Sequence, residues 1–247
     1  MACGHVTSST AMQTKPSDYA QTFDRLFDLG SDLVLGGTHE FDVPPADGDA
    51  RWGISVNFRP DPSLSGLTAR LSTEALDLVG PDHWPTGNKD AVHLTVRALE
   101  RHRAPVPNGD HAVARYAQAL RRAVDRCPGS VRFAFTGLTL TPTCVMACVE
   151  PLDAAADRFA VALGEELGPD GWYERDFNRN IWYASLVHFT GPIADPRGLV
   201  EWVRARRLGD LEISGFAASA VELIRWSYNG RQVLPVGMAA IALPALG

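Results

Sequence analysis

Two short apolar stretches of the sequence each carry a histidine and a threonine separated by one residue. The pairs are His93 with Thr95 and His188 with Thr190, and Val, Leu and Phe residues surround both. These β-prone surroundings predict strands, in which alternate side chains share a face. Each strand therefore presents an imidazole and a hydroxyl together, which predicts one site with two histidines suited to proton transfer. The structural alternative is that each histidine is a hydrogen-bonded residue of the core.

The elements around the two motifs form a repeated pattern. A histidine strand, a helix and two further strands are predicted twice, with Thr136-Gly137 of the first copy matching Ser214-Gly215 of the second. Such a duplication places the two pairs at equivalent points about a pseudo-twofold axis. The predicted helices span 17–29, 67–79, 110–127, 153–167 and 196–207, and the other predicted strands span 52–59, 131–135, 138–150, 211–213 and 221–228.

Both motifs resemble the signature of the two-histidine (2H) phosphoesterases. This family includes bacterial RNA 2′,3′-cyclic phosphodiesterases, also called 2′-5′ RNA ligase-like proteins. Its signature is a histidine, any residue, a serine or threonine and then an apolar residue, once in each lobe. The first motif here matches it fully, ending in Val96, whereas the second continues into Gly191-Pro192. That departure places Thr190 at a strand end.

The resemblance also implies a fold and a division of the chain. It covers about Trp52 to Tyr228 and implies an α+β class, with a duplicated bilobal domain in which two antiparallel sheets with outer helices flank a central cleft. The resulting domains are a disordered leader over 1–16, an N-terminal helix and loop over 17–50, and the bilobal domain over 51–247 with one histidine in each lobe.

The reaction implied by the resemblance explains why two histidines are needed. Opening a cyclic phosphodiester requires that water loses a proton and that the leaving alkoxide gains one on the opposite side of phosphorus. Imidazole, with a reference pKa of about 6.5, can take either role. We therefore expect His93 and His188 to be the acid–base pair, with Thr95 and Thr190 donating hydrogen bonds to phosphate oxygens. This scheme requires no metal and no other cofactor.

Three further residues are candidates for binding the substrate. Arg97 is two residues beyond Thr95 and is predicted to share its face, where it could clamp a phosphate; a solvated arginine at a strand end is the alternative. Ser55 and Asn57 form the polar face of a strand that neighbours the histidine strand in the family's arrangement. They are expected to contact substrate or to meet water.

Charge and composition restrict the partners. The net charge is −6 and Lys15 and Lys89 are the only lysines, whereas binding of long nucleic acid depends on many cationic contacts with phosphates. A nucleotide or a short RNA end is therefore the expected substrate. No apolar run reaches the roughly 18 residues of a membrane span, and the first 15 residues lack the pattern of a signal peptide. These features predict a cytoplasmic monomer that does not bind membranes.

Two alternatives to a phosphodiesterase stay open at this stage. The first is a module that binds a phosphate or nucleotide without turnover, which the imperfect second motif favours. The second is an enzyme of the same fold whose histidines act on a different small metabolite.

Overall fold

The computed structural model describes residues 16–177, 179–207 and 215–244, which form helices packed on antiparallel strands. The helices are α1 (Pro16–Leu35), α2 (Pro62–Val79), α3 (His111–Arg126), α4 (Ala155–Leu167) and α5 (Pro196–Arg204), with a 3-10 helix over Gly168–Glu174. The strands are β1 (Ser55–Pro60), β2 (Trp84–Pro85), β3 (Leu94–Ala98), β4 (Arg132–Leu140), β5 (Cys144–Pro151), β6 (Trp182–His188), β7 (Phe216–Tyr228) and β8 (Val233–Ala242).

The strands are arranged in the order β2-β6-β5-β4-β7-β1-β3, and β8 pairs with β7. These pairings are antiparallel. A short link, made by Arg132 with Ala217 and Phe133 with Phe216, connects β4 to β7 and so joins the two groups of strands. The α+β class is confirmed, but this link joins the two predicted sheets into one sheet of eight strands.

Both halves contain a strand that ends at or directly follows its histidine, and then a helix and a hairpin. In the first half these are β3, α3, β4 and β5, and in the second half they are β6, α5, β7 and β8. The strand predicted over 211–213 lies outside the described residues. The apolar stretch after Gln232 forms β8 against β7.

The first hairpin turns later than predicted. Strand β4 continues through Gly137, whose φ of +142° accommodates a register shift against β5, so the predicted break at this glycine is wrong. The turn lies at Thr141–Thr143 instead. The hydroxyl of Thr141 accepts hydrogen bonds from the backbone N–H groups of Thr143 and Cys144, which closes the turn.

Helix α1 is also longer than predicted, since it continues past Gly30 to Leu35. Gly30 does not end the helix; it allows the helix to lie against β4, because a Cβ atom there would approach the carbonyl carbon of Leu140 to 2.7 Å. The hydroxyl of Thr139 donates a hydrogen bond to the carbonyl of Phe23 across the same contact. The N-terminal helix is therefore packed on the sheet.

Leu94 and Phe189, the residues that follow the two histidines, are fully buried in the core. A cluster of aromatic rings fills the space between the strands and the helices, and it contains Phe58, Phe133, Phe159, Trp182 and Phe216. Among the described residues, no helix has the length and apolar character to cross a membrane.

Candidate active site

The two predicted histidines meet in one cleft. Strands β3 and β6 lie near opposite ends of the strand order, yet they are in contact, so the sheet curves back on itself. His93 immediately precedes β3 and His188 ends β6, and both side chains line a cavity of about 260 Å³. Thr95 and Ser55 line the same cavity. The structure thus brings together four of the seven residues that the sequence indicated.

Each imidazole is held by its Nδ1 atom. The Nδ1 of His93 lies 2.7 Å from the carbonyl oxygen of Ala91, and the Nδ1 of His188 lies 2.7 Å from Oδ2 of Asp42. A carbonyl or carboxylate oxygen can only accept, so Nδ1 carries the proton in both rings. The Nε2 atoms are thereby left to exchange protons with a substrate in the cleft.

Burial lowers the pKa of both histidines. The pKa of His93 falls to about 4, chiefly because the ring is removed from water; its hydrogen bond to Ala91 opposes the shift, and the nearby charge of His188 adds to it. Burial also lowers the pKa of His188 below 6.5, while the carboxylate of Asp42 raises it in part. Both rings are therefore neutral in the free protein at pH 7, and the carboxylate of Asp42 favours protonation of His188.

Two tryptophans form the apolar wall between the histidines. The Trp52 ring lies edge-on to His188 at 4.9 Å between centroids, and the Trp226 ring lies 5.1 Å from His93. The tryptophans also contact each other at 5.1 Å. Trp52 has a left-handed backbone conformation, with φ at +64°, which a bulky residue adopts only where its surroundings impose it. The wall makes the side of the cleft next to the imidazoles apolar.

Arg97 does not share the face of Thr95, so the prediction that it could clamp a phosphate in the cleft is wrong. A bulge in β3 makes Val96 an extra residue, because Val56 pairs with Arg97 while the next residue, Asn57, pairs with Thr95. The bulge reverses the alternation beyond Thr95. The Arg97 guanidinium points away from the cleft and donates a hydrogen bond from Nη2 to the carbonyl of Gly171 at 2.9 Å.

Thr190 is also absent from the lining of the cleft. Strand β6 ends at His188, and the Thr190 hydroxyl donates a hydrogen bond to the carbonyl of Asp82 at 2.9 Å. The alternation that would align Thr190 with His188 therefore does not continue into the Gly191-Pro192 segment. The predicted position of this hydroxyl beside the histidines is wrong.

Ser185 supplies a hydroxyl on the β6 side of the cleft instead. Leu186 is an extra residue in β6, since Val145 pairs with Val187 and the adjacent Met146 pairs with Ser185. This bulge turns Ser185 and His188, three residues apart, toward the same cavity. No periodicity in the sequence reveals a single inserted residue, so Ser185 was not among the predicted site residues.

The two polar residues of β1 differ in their positions. Ser55 lines the cavity, whereas Asn57 is buried beneath it and donates hydrogen bonds from Nδ2 to the Ser55 hydroxyl at 2.9 Å and to the Ser55 carbonyl at 3.1 Å. Asn57 therefore supports Ser55 and does not contact a ligand in the cavity. Of the two residues expected to contact substrate or water, Ser55 lines the cavity and Asn57 does not.

Several side chains of the cleft were not among the predicted site residues. The segments before β1 and after α4 contribute Arg51, Trp52, Tyr173, Glu174 and Arg179. Trp52 begins the predicted strand 52–59; the others lie in stretches without helical or strand periodicity, so their only signal is a high density of aromatic and charged residues. Within the described part of the chain, no group of three or more His, Cys, Asp or Glu side chains is arranged to hold a metal ion.

The fold of this chain is similar to those of proteins with solved crystal structures. No protein-family model and no curated protein matches the sequence. The crystal structure of TT0787 of Thermus thermophilus is 12% identical over 78% of this chain and 98% of that chain, with a TM-score of 0.49. A crystal structure described as a phosphoesterase is 11% identical over 78% and 98%, with a TM-score of 0.48. E. coli LigT complexed with phosphate is 10% identical over 78% and 97%, with a TM-score of 0.47. At these values the reaction has to be argued from the cleft's own side chains.

Proposed function

We propose that this protein is a phosphoesterase that opens a cyclic phosphate, or a related phosphodiester, with His93 and His188 as its acid–base pair. The observation that supports it best is the convergence of two imidazoles in one cleft, each held at Nδ1 so that Nε2 can act on a substrate. In-line displacement at phosphorus requires proton transfers on opposite sides, and two facing imidazoles provide both. Each transfer is worth roughly 10²–10⁴-fold in rate.

The cleft also offers groups that can bind the phosphate. Thr95, Ser55 and Ser185 present hydroxyls, and in this proposal Ser185 takes the place that the sequence assigned to Thr190. Arg51 takes the place assigned to Arg97: its side chain is 48% exposed and lines the cleft, so it can reach a ligand while it remains paired with Asp42 at 2.7 Å. Charged and hydroxyl donors of this kind stabilise the negative charge that grows on the non-bridging oxygens.

The size of the cleft favours a small substrate. Its volume of about 260 Å³ is below the roughly 300–1,000 Å³ of sites that enclose drug-sized molecules. A phosphate with its ribose fits such a space, and the remainder of a nucleotide or short RNA end would extend over Tyr173 or Tyr183 at the rim. We therefore propose a nucleotide or a small RNA end as the substrate class.

A substrate screen with histidine variants tests the reaction. Purified protein is incubated with 2′,3′-cyclic nucleotides and with short oligonucleotides that end in a cyclic phosphate, with and without a chelator. His93→Ala and His188→Ala are each expected to reduce turnover by roughly 10²-fold or more, because each removes a proton-transfer group. His111→Ala is the matched control, since His111 is exposed at the start of α3. Turnover that is lost with chelator but survives both histidine substitutions would contradict the proposal.

A module that binds phosphate without turnover is the second candidate. Two observations favour it: the Thr190 hydroxyl is engaged outside the cleft, and both histidines of the free protein are neutral at pH 7. Calorimetry with the same nucleotides separates the candidates. Binding without product at any pH between about 4 and 8 favours the module. The absence of both binding and turnover favours an enzyme directed to another metabolite.

A further inference from the structure

The two histidines of the cleft have chemically different partners. His93 donates its Nδ1 hydrogen bond to a neutral backbone carbonyl, whereas His188 donates to the carboxylate of Asp42. A carboxylate stabilises an imidazolium through its full negative charge, and a carbonyl offers only a dipole. The duplicated strands are therefore not equivalent at the point where protons are exchanged.

Asp42 is held in place through both its side chain and its backbone. Its side chain is only 4% exposed, Oδ2 lies 2.7 Å from His188 Nδ1, and Oδ1 lies 2.7 Å from Nη1 of Arg51. Its backbone N–H donates to the carbonyl of Phe189 at 2.6 Å, directly beyond the end of β6. A buried carboxylate with both oxygens paired and its backbone tied to the adjacent strand has one well-defined position.

This carboxylate comes from outside the duplicated units. Asp42 lies in the segment between α1 and β1, and this segment is fastened to the sheet at further points. The backbone N–H of Glu40 donates to the carbonyl of Pro142 at 2.8 Å, and the ring of His39 lies 3.1 Å from the carbonyl of Gly191 through Nε2. The N-terminal segment therefore completes the His188 side of the cleft.

The charged and titratable groups around His188 come from three directions. Asp42 and Arg51 approach it from the N-terminal segment, and His93 faces it across the cleft. On β5, Cys144 is paired opposite His188, and burial raises the pKa of that thiol, so it carries no charge. The neighbouring Trp52 ring is apolar. Asp42 thus brings a negative charge into contact with the ring, and Arg51 brings a positive one.

We propose that Asp42 is a positioning residue that makes His188 the proton donor of the pair and leaves His93 as the base. This inference rests on the proposed function. In the step, His93 Nε2 takes a proton from water as the water oxygen bonds to phosphorus; the opposite P–O bond breaks, and His188 Nε2–H gives its proton to the leaving alkoxide. One water molecule is consumed, and exchange of protons with solvent restores both rings.

Asp42→Asn is the variant that tests this assignment. The amide can still accept the Nδ1 hydrogen bond but has lost the charge, so the ring orientation is kept while the imidazolium is destabilised. We expect the upper limb of the pH profile of kcat/KM to move down by about one pH unit, which is about a tenfold loss of kcat/KM above that limb. KM is expected to change little. Asp47→Asn removes an exposed carboxylate from the same segment and is expected to match the wild type.

Arg51→Gln is the complementary variant, and its expected shift has the opposite sign. The Arg51 charge lowers the pKa of His188, so its removal leaves Asp42 paired with the imidazole alone and moves the upper limb to higher pH. The Arg51 side chain is half exposed, so this variant is expected to fold even if Asp42→Asn does not. KM is expected to rise in this variant because Arg51 is a proposed phosphate ligand.

Titration of the histidine rings by ¹⁵N NMR separates this inference from the proposed function, because it requires no substrate. The His188 pKa is expected to fall in Asp42→Asn and to rise in Arg51→Gln, with His93 changing much less. An unchanged His188 titration, or an unchanged upper limb in both variants, would overturn the assignment even if turnover is observed. Failure of the wild type to open any cyclic phosphate would instead defeat the proposed function, and the NMR shifts would still decide whether Asp42 controls His188.

Discussion

Replacing His93 with asparagine tests whether burial lowers the pKa of this histidine in the cleft. The Asn Nδ2 group can keep the hydrogen bond to the Ala91 carbonyl that the ring makes through Nδ1, so the local geometry is retained while the titrating group is removed. Because burial lowers the pKa of His93 to about 4, the folded chain binds fewer protons at this ring than the unfolded chain between pH 6.5 and 4. Acidification through this window therefore destabilises the wild-type fold.

The size of this effect follows from the pKa difference. With values of about 4 in the folded state and about 6.5 in the unfolded state, lowering the pH from 7.5 to 4.5 reduces the free energy of unfolding by about 2.5 kcal/mol through this one ring. His188 adds a loss of the same sign, since its pKa is also lowered. His93→Asn removes the first contribution and leaves the second.

Urea unfolding at pH 7.5 and pH 4.5 measures the prediction. The wild type is expected to lose about 2.5 kcal/mol more than His93→Asn between the two conditions, provided that the denaturant slope is unchanged. His111→Asn, at an exposed histidine, is expected to behave as the wild type does. Equal losses in His93→Asn and the wild type would refute the reasoning, because His93 would then titrate normally and would not be a buried base.

Four further substitutions, in three experiments, test the local geometry. Arg97→Met is expected to lower the free energy of unfolding by about 1–3 kcal/mol, since it removes a hydrogen bond from a charged donor, and to leave KM unchanged in a Michaelis analysis; a raised KM at unchanged stability would contradict its placement. Ser185→Ala is expected to reduce kcat/KM more than Thr190→Val, because Ser185 lines the cleft and Thr190 does not, and the reverse order would contradict the β6 register. Gly30→Ala is expected to lower the free energy of unfolding by about 1–3 kcal/mol through overpacking against β4, which lowers the thermal midpoint; an unchanged midpoint would contradict the close approach.

The sequence predicted the parts of the site that depend on strand alternation. His93 and Thr95 share a face and Leu94 is buried on the opposite one. The alternation holds here because the inserted residue, Val96, comes after Thr95. Alternation fails where one residue is inserted. Val96 is the inserted residue in β3 and Leu186 is the one in β6, and each reverses the faces on one side of it.

A bulge cannot be read from these stretches because the apolar pattern does not mark it. Val96 is buried between the half-buried polar residues Thr95 and Arg97, as it would be in a regular strand, and Leu186 belongs to the buried apolar pair Leu186-Val187. Arg97 was therefore predicted in the cleft, and Ser185 was not. Asp42 escaped prediction for a different reason: it lies in a segment without periodicity, and its role depends on a contact with His188, 146 residues away in the sequence.

The asymmetry of the cleft has a chemical consequence that duplication alone would not provide. Two equivalent strands would give two histidines the same environment and the same pKa, yet an acid–base pair works only when one ring is protonated and the other is not. Here the scaffold gives His93 a carbonyl partner from its own strand, through Ala91, and the chain before the first unit gives His188 a carboxylate. Segment 36–50, between α1 and β1, contributes no strand, so its side chains can change while its backbone hydrogen bonds to the sheet are kept. We therefore expect replacement of its carboxylates by the corresponding amides to leave the fold intact, as circular dichroism would show, while the NMR titration of His188 moves to lower pH. Loss of the fold instead would mean that the segment is a structural part of the sheet and not a separable determinant of the proton donor.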